Sequence, residues 1–186
     1  MSLLPLAQRL ADQPWSIALH ESLYGYPIVE SVHVWALCLF VGMAVVLDLR
    51  LTGLSFTSVP VSQIAKRILP WTQLGFVVMV ISGILLFYAI PVRSYQNIFF
   101  RTKLVLLVLA GVNAWVFHPR GIKSWDRDPV PPRSARFAGY ASLVLWMTII
   151  FCGRMIAYNW FDCDKPEQSH VISILSGCEA REAEAQ

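Results

Sequence analysis

Three residues set inside otherwise apolar runs carry most of the chemical potential of this 186-residue chain: His33, Lys103 and Arg154. His33 lies in a run from about Glu30 to Leu49 and is its only titratable group before Asp48. Lys103 stands near the start of a run from about Phe100 to Phe117, which His118 closes. Arg154 is the single interior charge of a run from about Phe137 to Tyr158. An imidazole can ligate a metal, and a cation can neutralise a carboxylate. Polar groups at such depth usually face a bundle interior, where they meet a partner or a cofactor. Each also has a plain structural use: His33 as an interhelical hydrogen-bonding group, Lys103 snorkelling to the interface, Arg154 bridging to Glu30. His118 serves equally as a cation at a helix C-terminus, and His170 as a solvated residue of the tail. There is no nucleophile motif, no phosphate-cradling glycine loop and no Cys-x-x-Cys pair. The methionines Met43, Met79, Met147 and Met155 do not form the clusters of a copper relay.

The runs that hold these residues set the fold. The chain is 56% hydrophobic and only 15% charged, with mean hydropathy +0.54, where soluble domains are about 25% charged. Four runs, about 30–49, 68–91, 100–117 and 137–158, are long enough to cross a hydrocarbon layer of about 30 Å. Each must be helical, because unpaired backbone groups are not tolerated in lipid. Residues 3–24 read as an amphipathic helix lying in the interface and interrupted at Pro14. Gly25-Tyr26-Pro27 then turns the chain inward. The expectation is an all-α, polytopic membrane four-helix bundle with an N-terminal interfacial amphipathic helix. Residues 1–160 form one transmembrane domain and residues 161–186 a polar C-terminal tail. Nothing in residues 1–15 resembles a cleavable signal peptide, and no basic stripe suits nucleic acid.

Charge placement orients the bundle. Arg50, Lys66, Arg67, Arg120, Lys123, Arg127, Arg133 and Arg136 follow the first and third spans, whereas the opposite side holds Arg9, Arg93, Arg101 and Lys103. The richer side should be cytoplasmic. The expected location is a bacterial inner membrane, multi-pass, with both termini periplasmic. Cys163 and Cys178 then face a compartment in which a disulfide between them can persist, while Cys38 and Cys152 pack as small hydrophobes.

With that orientation, His33 sits roughly 5 Å below Glu30 by helical rise, at a depth shared with Lys103 and Arg154 on two other helices. On the first span, Glu30, His33, Leu37, Phe40, Ala44 and Asp48 follow helical spacing and line one inward face. A pocket walled by Leu37, Phe40 and Phe151, with an imidazole and two cations near its mouth, suits haem b. His33 would be one axial ligand, and His20, folded over the outer mouth, is the candidate for the other. Lys103 and Arg154 would neutralise the propionates, and Glu30 would orient the His33 ring. His118 is about 25 Å from His33 along the membrane normal by helical rise. Any metal it holds belongs to a second, inner site near Asn113 and Asp48, making two haems rather than one. Gly42, Gly75, Gly83 and Gly111 read as points of close helix approach, and Asp48 with Arg50 as a local ion pair.

The segments PIVESVHVWALCLFVGMAVVLDLRLTG, LPWTQLGFVVMVISGILLF, NIFFRTKLVLLVLAGVNAWVFH and CGRMIAY resemble a family of small, uncharacterised four-helix bacterial inner-membrane proteins over residues 15–160. The plan is more distantly similar to the HemJ-type protoporphyrinogen oxidases and the CopD-type copper-resistance membrane proteins. His33 and Lys103 fall where HemJ-type proteins carry a first-span histidine and a third-span lysine, so the resemblance implies a tetrapyrrole-binding bundle. Electron transfer through haem b, with a quinol or a periplasmic redox protein as partner, is the first functional expectation. Oxidation of a protoporphyrinogen-like substrate is the second. A non-redox accessory subunit or a copper-handling membrane protein is the third.

Overall fold

The computed structural model describes residues 3–116, 125–158, 170–176 and 178. Eight helices account for nearly all of it: α1 (Leu4–Ala11), α2 (Pro14–Glu21), α3 (Gly25–Thr52), α4 (Val61–Ala89), α5 (Pro91–Tyr95), α6 (Ile98–Val116), α7 (Arg133–Tyr158) and α8 (His170–Ser176). Four of them, α3, α4, α6 and α7, are long and apolar enough to cross a membrane. The chain is an all-α, multi-pass membrane protein.

Helix ends fall where backbone chemistry places them. Gly53 adopts φ +77°, the left-handed cap that glycine occupies without strain, and returns its N–H to the Arg50 carbonyl. Pro91 opens α5, a position that needs no amide donor. The Asn97 side-chain oxygen accepts the N–H groups of Phe99 (2.9 Å) and Phe100 (3.3 Å), the N-cap arrangement that satisfies otherwise orphaned donors. At 28 residues, α3 is about 42 Å long by helical rise, longer than a hydrocarbon layer of about 30 Å is thick.

Packing arranges the long helices as an arc in the order α4, α3, α7, α6. The α3–α4 seam closes at Gly75, where a Cβ would lie 2.9 Å from the Phe40 backbone nitrogen and 3.2 Å from the Ala36 carbonyl. The α3–α7 seam closes at Gly139, where a Cβ would lie 3.0 Å from the Asp48 carbonyl. Between α6 and α7, Asn113 Nδ2 donates to the Ala138 carbonyl at 3.2 Å. Helices α4 and α6, at the two ends of the arc, meet through the stacked rings of Phe87 and Phe100 and share a much smaller seam than the other neighbours. Space remains between them at the centre.

The expected N-terminal amphipathic helix is two short helices, broken at Asp12–Gln13 with Pro14 opening the second. They cap the end of the bundle at which α3 begins, the end expected to face outward: Leu4 and Ala7 are buried, α1 rests on α5, and Ser16 Oγ donates to the Tyr88 carbonyl at 2.7 Å. The tail is more than a polar extension, because α8 docks on α6 and Arg101 holds the Leu175 carbonyl. Cys178 is disulfide-bonded, and Cys163 lies outside the described residues. Cys152 is buried and Cys38 exposed, both as free thiols.

At the opposite end the expected Asp48–Arg50 ion pair does not form. The Asp48 carboxyl turns to Ser142 on α7. Arg50 is fully buried and donates from Nε to the Val59 carbonyl (2.7 Å) and from Nη2 to that of Asp128 (2.9 Å). Two residues apart on a helix, the side chains point about 200° apart, so they meet different neighbours. Arg50 thereby ties the loop after α3 to the segment before α7.

Candidate functional site: a two-lobed cavity at His33 and Lys103

The space inside the arc holds two adjoining cavities of about 530 and 780 Å³. The outer lobe carries the polar groups, among them Glu30, Arg93, Asn97 and Arg154. The inner lobe is lined almost wholly by apolar side chains of α4, α6 and their neighbours. His33 and Lys103 line both, together with Leu37, Gly83, Phe87, Phe100 and Ile149. They mark the plane where the lobes join.

The hydrogen bonds of its neighbours fix the state of His33. Ser82 Oγ has one hydrogen and gives it to the backbone one turn earlier, 2.6 Å from the Val78 carbonyl. The 2.9 Å contact between His33 Nδ1 and Ser82 Oγ must then run from Nδ1–H to the hydroxyl. This network assigns the Nδ1–H tautomer, which leaves Nε2 with the lone pair, as a metal-ligating imidazole requires. Gly83 makes room for the ring: a Cβ there would lie 3.2 Å from His33 Cε1. Lys103 reaches the junction past another glycine, with Nζ 3.6 Å from where a Gly153 Cβ would be. It makes no hydrogen bond or ion pair among the described residues. Phe87 and Phe100 form a stacked wall beside it, their centroids 5.4 Å apart and their planes 15° from parallel. Phe40 anchors the inner lobe, tilted against Phe76 at 5.5 Å and edge-on to Trp146 at 4.8 Å.

His33, Lys103, Arg154 and Glu30 all reach the outer lobe. Arg154 turns back along its own helix, Nη2 lying 3.5 Å from the Tyr158 hydroxyl and the guanidinium 5.2 Å from the ring centroid. It does not bridge to Glu30. Nor does Glu30 orient His33, a task that falls to Ser82 on α4. His20 is not brought to the cavity: it is exposed on α2, and the bond from Ser16 to Tyr88 holds that helix against α4. His118 lies outside the described residues. Its expected neighbours serve other contacts, Asn113 bonding to Ala138 and Asp48 to Ser142. Phe151 is 58% exposed and walls neither lobe; the inward face of α7 is Trp146, Ile149 and Gly153. Among the described residues no three His, Cys, Asp or Glu side chains gather to hold a metal ion.

Sequence reading missed Ser82, Gly153 and the Phe87–Phe100 pair; it took Gly83 as a point of close helix approach, and what approaches there is the His33 ring. A serine inside an apolar span is a weak signal, because its hydroxyl commonly bonds its own backbone. Only the placement of α3 beside α4 gives Ser82 a second partner.

Fold and cavity together define a polytopic helical membrane protein with a ligand-sized interior cavity. The chain belongs to the family of unknown function DUF6644, whose family model matches residues 21–159. No curated protein and no solved structure matches it.

Proposed function

We propose that the protein binds a tetrapyrrole in the outer lobe, a b-type haem in the first instance, and that it moves electrons in the membrane. The observation that carries this reading is the 2.9 Å contact of His33 Nδ1 with Ser82 Oγ, whose own hydrogen faces the Val78 carbonyl; in the Nδ1–H tautomer that this arrangement favours, Nε2 would be left to ligate the iron. Around it the outer lobe supplies apolar walls for a macrocycle and the cations Lys103, Arg93 and Arg154 for its carboxylates. His33 is then the one imidazole ligand from the described residues, because His20 lies elsewhere. The resemblance to HemJ-type proteins supports the same ligand class.

A protoporphyrinogen-like substrate in place of a resident haem is the second reading. It is favoured by His33 and Lys103 lining the cavity together. The charge bias of the loops supports a bacterial inner membrane with both termini periplasmic.

An optical spectrum of the full chain purified in mild detergent, before and after dithionite, tests the first reading. The expected result is a Soret band with a reduced alpha band in the haem b region, both lost in His33→Ala. Folded protein with no tetrapyrrole absorbance, even after incubation with haemin, would overturn it. Turnover of a porphyrinogen by that protein would favour the second.

A further inference from the structure

A tetrapyrrole held in the outer lobe leaves unused the part of the inner lobe beyond the residues the two lobes share, Lys103, Phe87 and Phe100 among them, and that part has a definite shape and chemistry. Its lining on α6 extends from Lys103 to Ala114, roughly 16 Å along the helix by helical rise. Below Lys103 its lining carries no charge. It lies between α4 and α6 beyond their Phe87–Phe100 contact, and the lining residues Ile84 and Leu104 are 62% and 48% exposed, which in a bilayer means exposed to hydrocarbon. At its outer end stand one cation with three donor hydrogens and the flat Phe87–Phe100 wall.

We propose that the inner lobe binds a prenylated quinone drawn laterally from the bilayer. The ring lies at the level of Lys103, Phe87 and Phe100, and the prenyl chain runs toward Ala114. The ring is flat and neutral, so it stacks on the aromatic wall, and its carbonyl accepts from Lys103 Nζ. The chain is a single hydrocarbon strand and fills an apolar channel open to lipid. A water-soluble metabolite would have no route through that opening. A fatty acid could pair with Lys103 but would leave the aromatic wall without a planar partner. The proposal goes beyond the tetrapyrrole reading and does not rest on it.

Photolabelling of the full chain in nanodiscs with an azidoquinone, followed by peptide mapping, tests this. Label is expected on α4 residues 76–87 and α6 residues 100–114, displaced by decylubiquinone and not by oleate. A Cβ on Gly111 would meet nothing within 4 Å, so Gly111→Trp should fill the lobe and cut labelling about tenfold or more, a loss near 1.4 kcal/mol of affinity. Lys103→Met should raise the half-displacing concentration of decylubiquinone about tenfold, the effect of one charge-assisted hydrogen bond; it serves as the second test should Gly111→Trp not assemble. Label spread over lipid-facing positions, equal displacement by oleate, or labelling indifferent to both variants would overturn the proposal. Tetrapyrrole absorbance recorded on the same samples reports separately on the outer lobe.

Discussion

At the scale of single residues, the site depends on where one proton sits. His33 is useful as a ligand only while Nε2 keeps its lone pair, and Ser82 ensures this by spending its own hydrogen on Val78. Ser82→Ala removes the acceptor of Nδ1–H while leaving the bundle assembled. Haemin affinity, measured by absorbance titration, is expected to fall about 10- to 100-fold, the usual cost of losing such an orienting partner. Ser82→Thr, which keeps the hydroxyl, should restore most of it. Unchanged affinity in Ser82→Ala would show that the ring is held by something else. His33 and Lys103 were legible as candidates because a polar group inside a long apolar run has few uses. Ser82 was not, since nothing in the order of residues distinguishes a serine bonded only to its own helix from one that also receives an imidazole.

Between elements, the glycines separate by what a Cβ would meet. Sequence reading grouped Gly75 and Gly111 as points of close approach, but only Gly75 is one. The groups nearest a Gly75 Cβ are backbone atoms of α3, which cannot step aside without moving the helix. Gly75→Ala is therefore expected to cost about 1–3 kcal/mol, whereas Gly111→Ala should be neutral or gain up to about 1 kcal/mol from helix propensity. Thermal unfolding in detergent distinguishes the two, and equal melting temperatures would contradict the α3–α4 contact. The start of α4 depends on a residue far along the chain. Asp126 accepts from the Ser62 hydroxyl (2.6 Å) and the Ser62 N–H (2.7 Å), and its own carbonyl accepts from Val61 N–H at 3.1 Å. Those hydrogen bonds, the hydroxyl first, hold the half-buried Asp126 carboxyl below its ordinary value. A carboxyl that is more acidic in the folded protein adds stability above its unfolded pKa, about 3.9, and loses it as pH falls through the lower folded value. The melting temperature of Asp126→Asn should thus depend less on pH below about 4 than that of the parent. Parallel pH profiles would remove the cap from the account.

For the molecule as a whole, the consequence of the arc is that the cavity residues Ile84 on α4 and Leu104 on α6 are exposed beyond the Phe87–Phe100 contact, on a surface that faces lipid. A cysteine introduced at Ile84, in a Cys38→Ser background, should react with a lipid-soluble maleimide and be spared by a membrane-impermeant one. Labelling by the impermeant reagent would mean that this surface meets water. The loops predict the orientation: alkaline phosphatase fused after the last residue should be active in a bacterial host, and a fusion in the loop between α3 and α4 inactive. The reverse pattern would invert the outer and inner lobes relative to the membrane and place the His33 level on the cytoplasmic side.

The sequence by itself determined the solvent, the number of spans and the depth of the polar groups. Each of these follows from counting along one chain: about 20 apolar residues cross the hydrocarbon, and rise per residue converts position into depth. What it could not determine was azimuth, the direction each helix face takes toward its neighbours. That is why His20 and Phe151 were expected at a pocket they do not reach, why the Asp48–Arg50 pair was expected and does not form, and why Ser82 went unseen. Contacts between helices are decided by packing, through the glycines that let backbones approach and the side chains that hold them apart. Only the tertiary structure could leave a cavity between α4 and α6 below their Phe87–Phe100 contact, with His33 and Lys103 lining it.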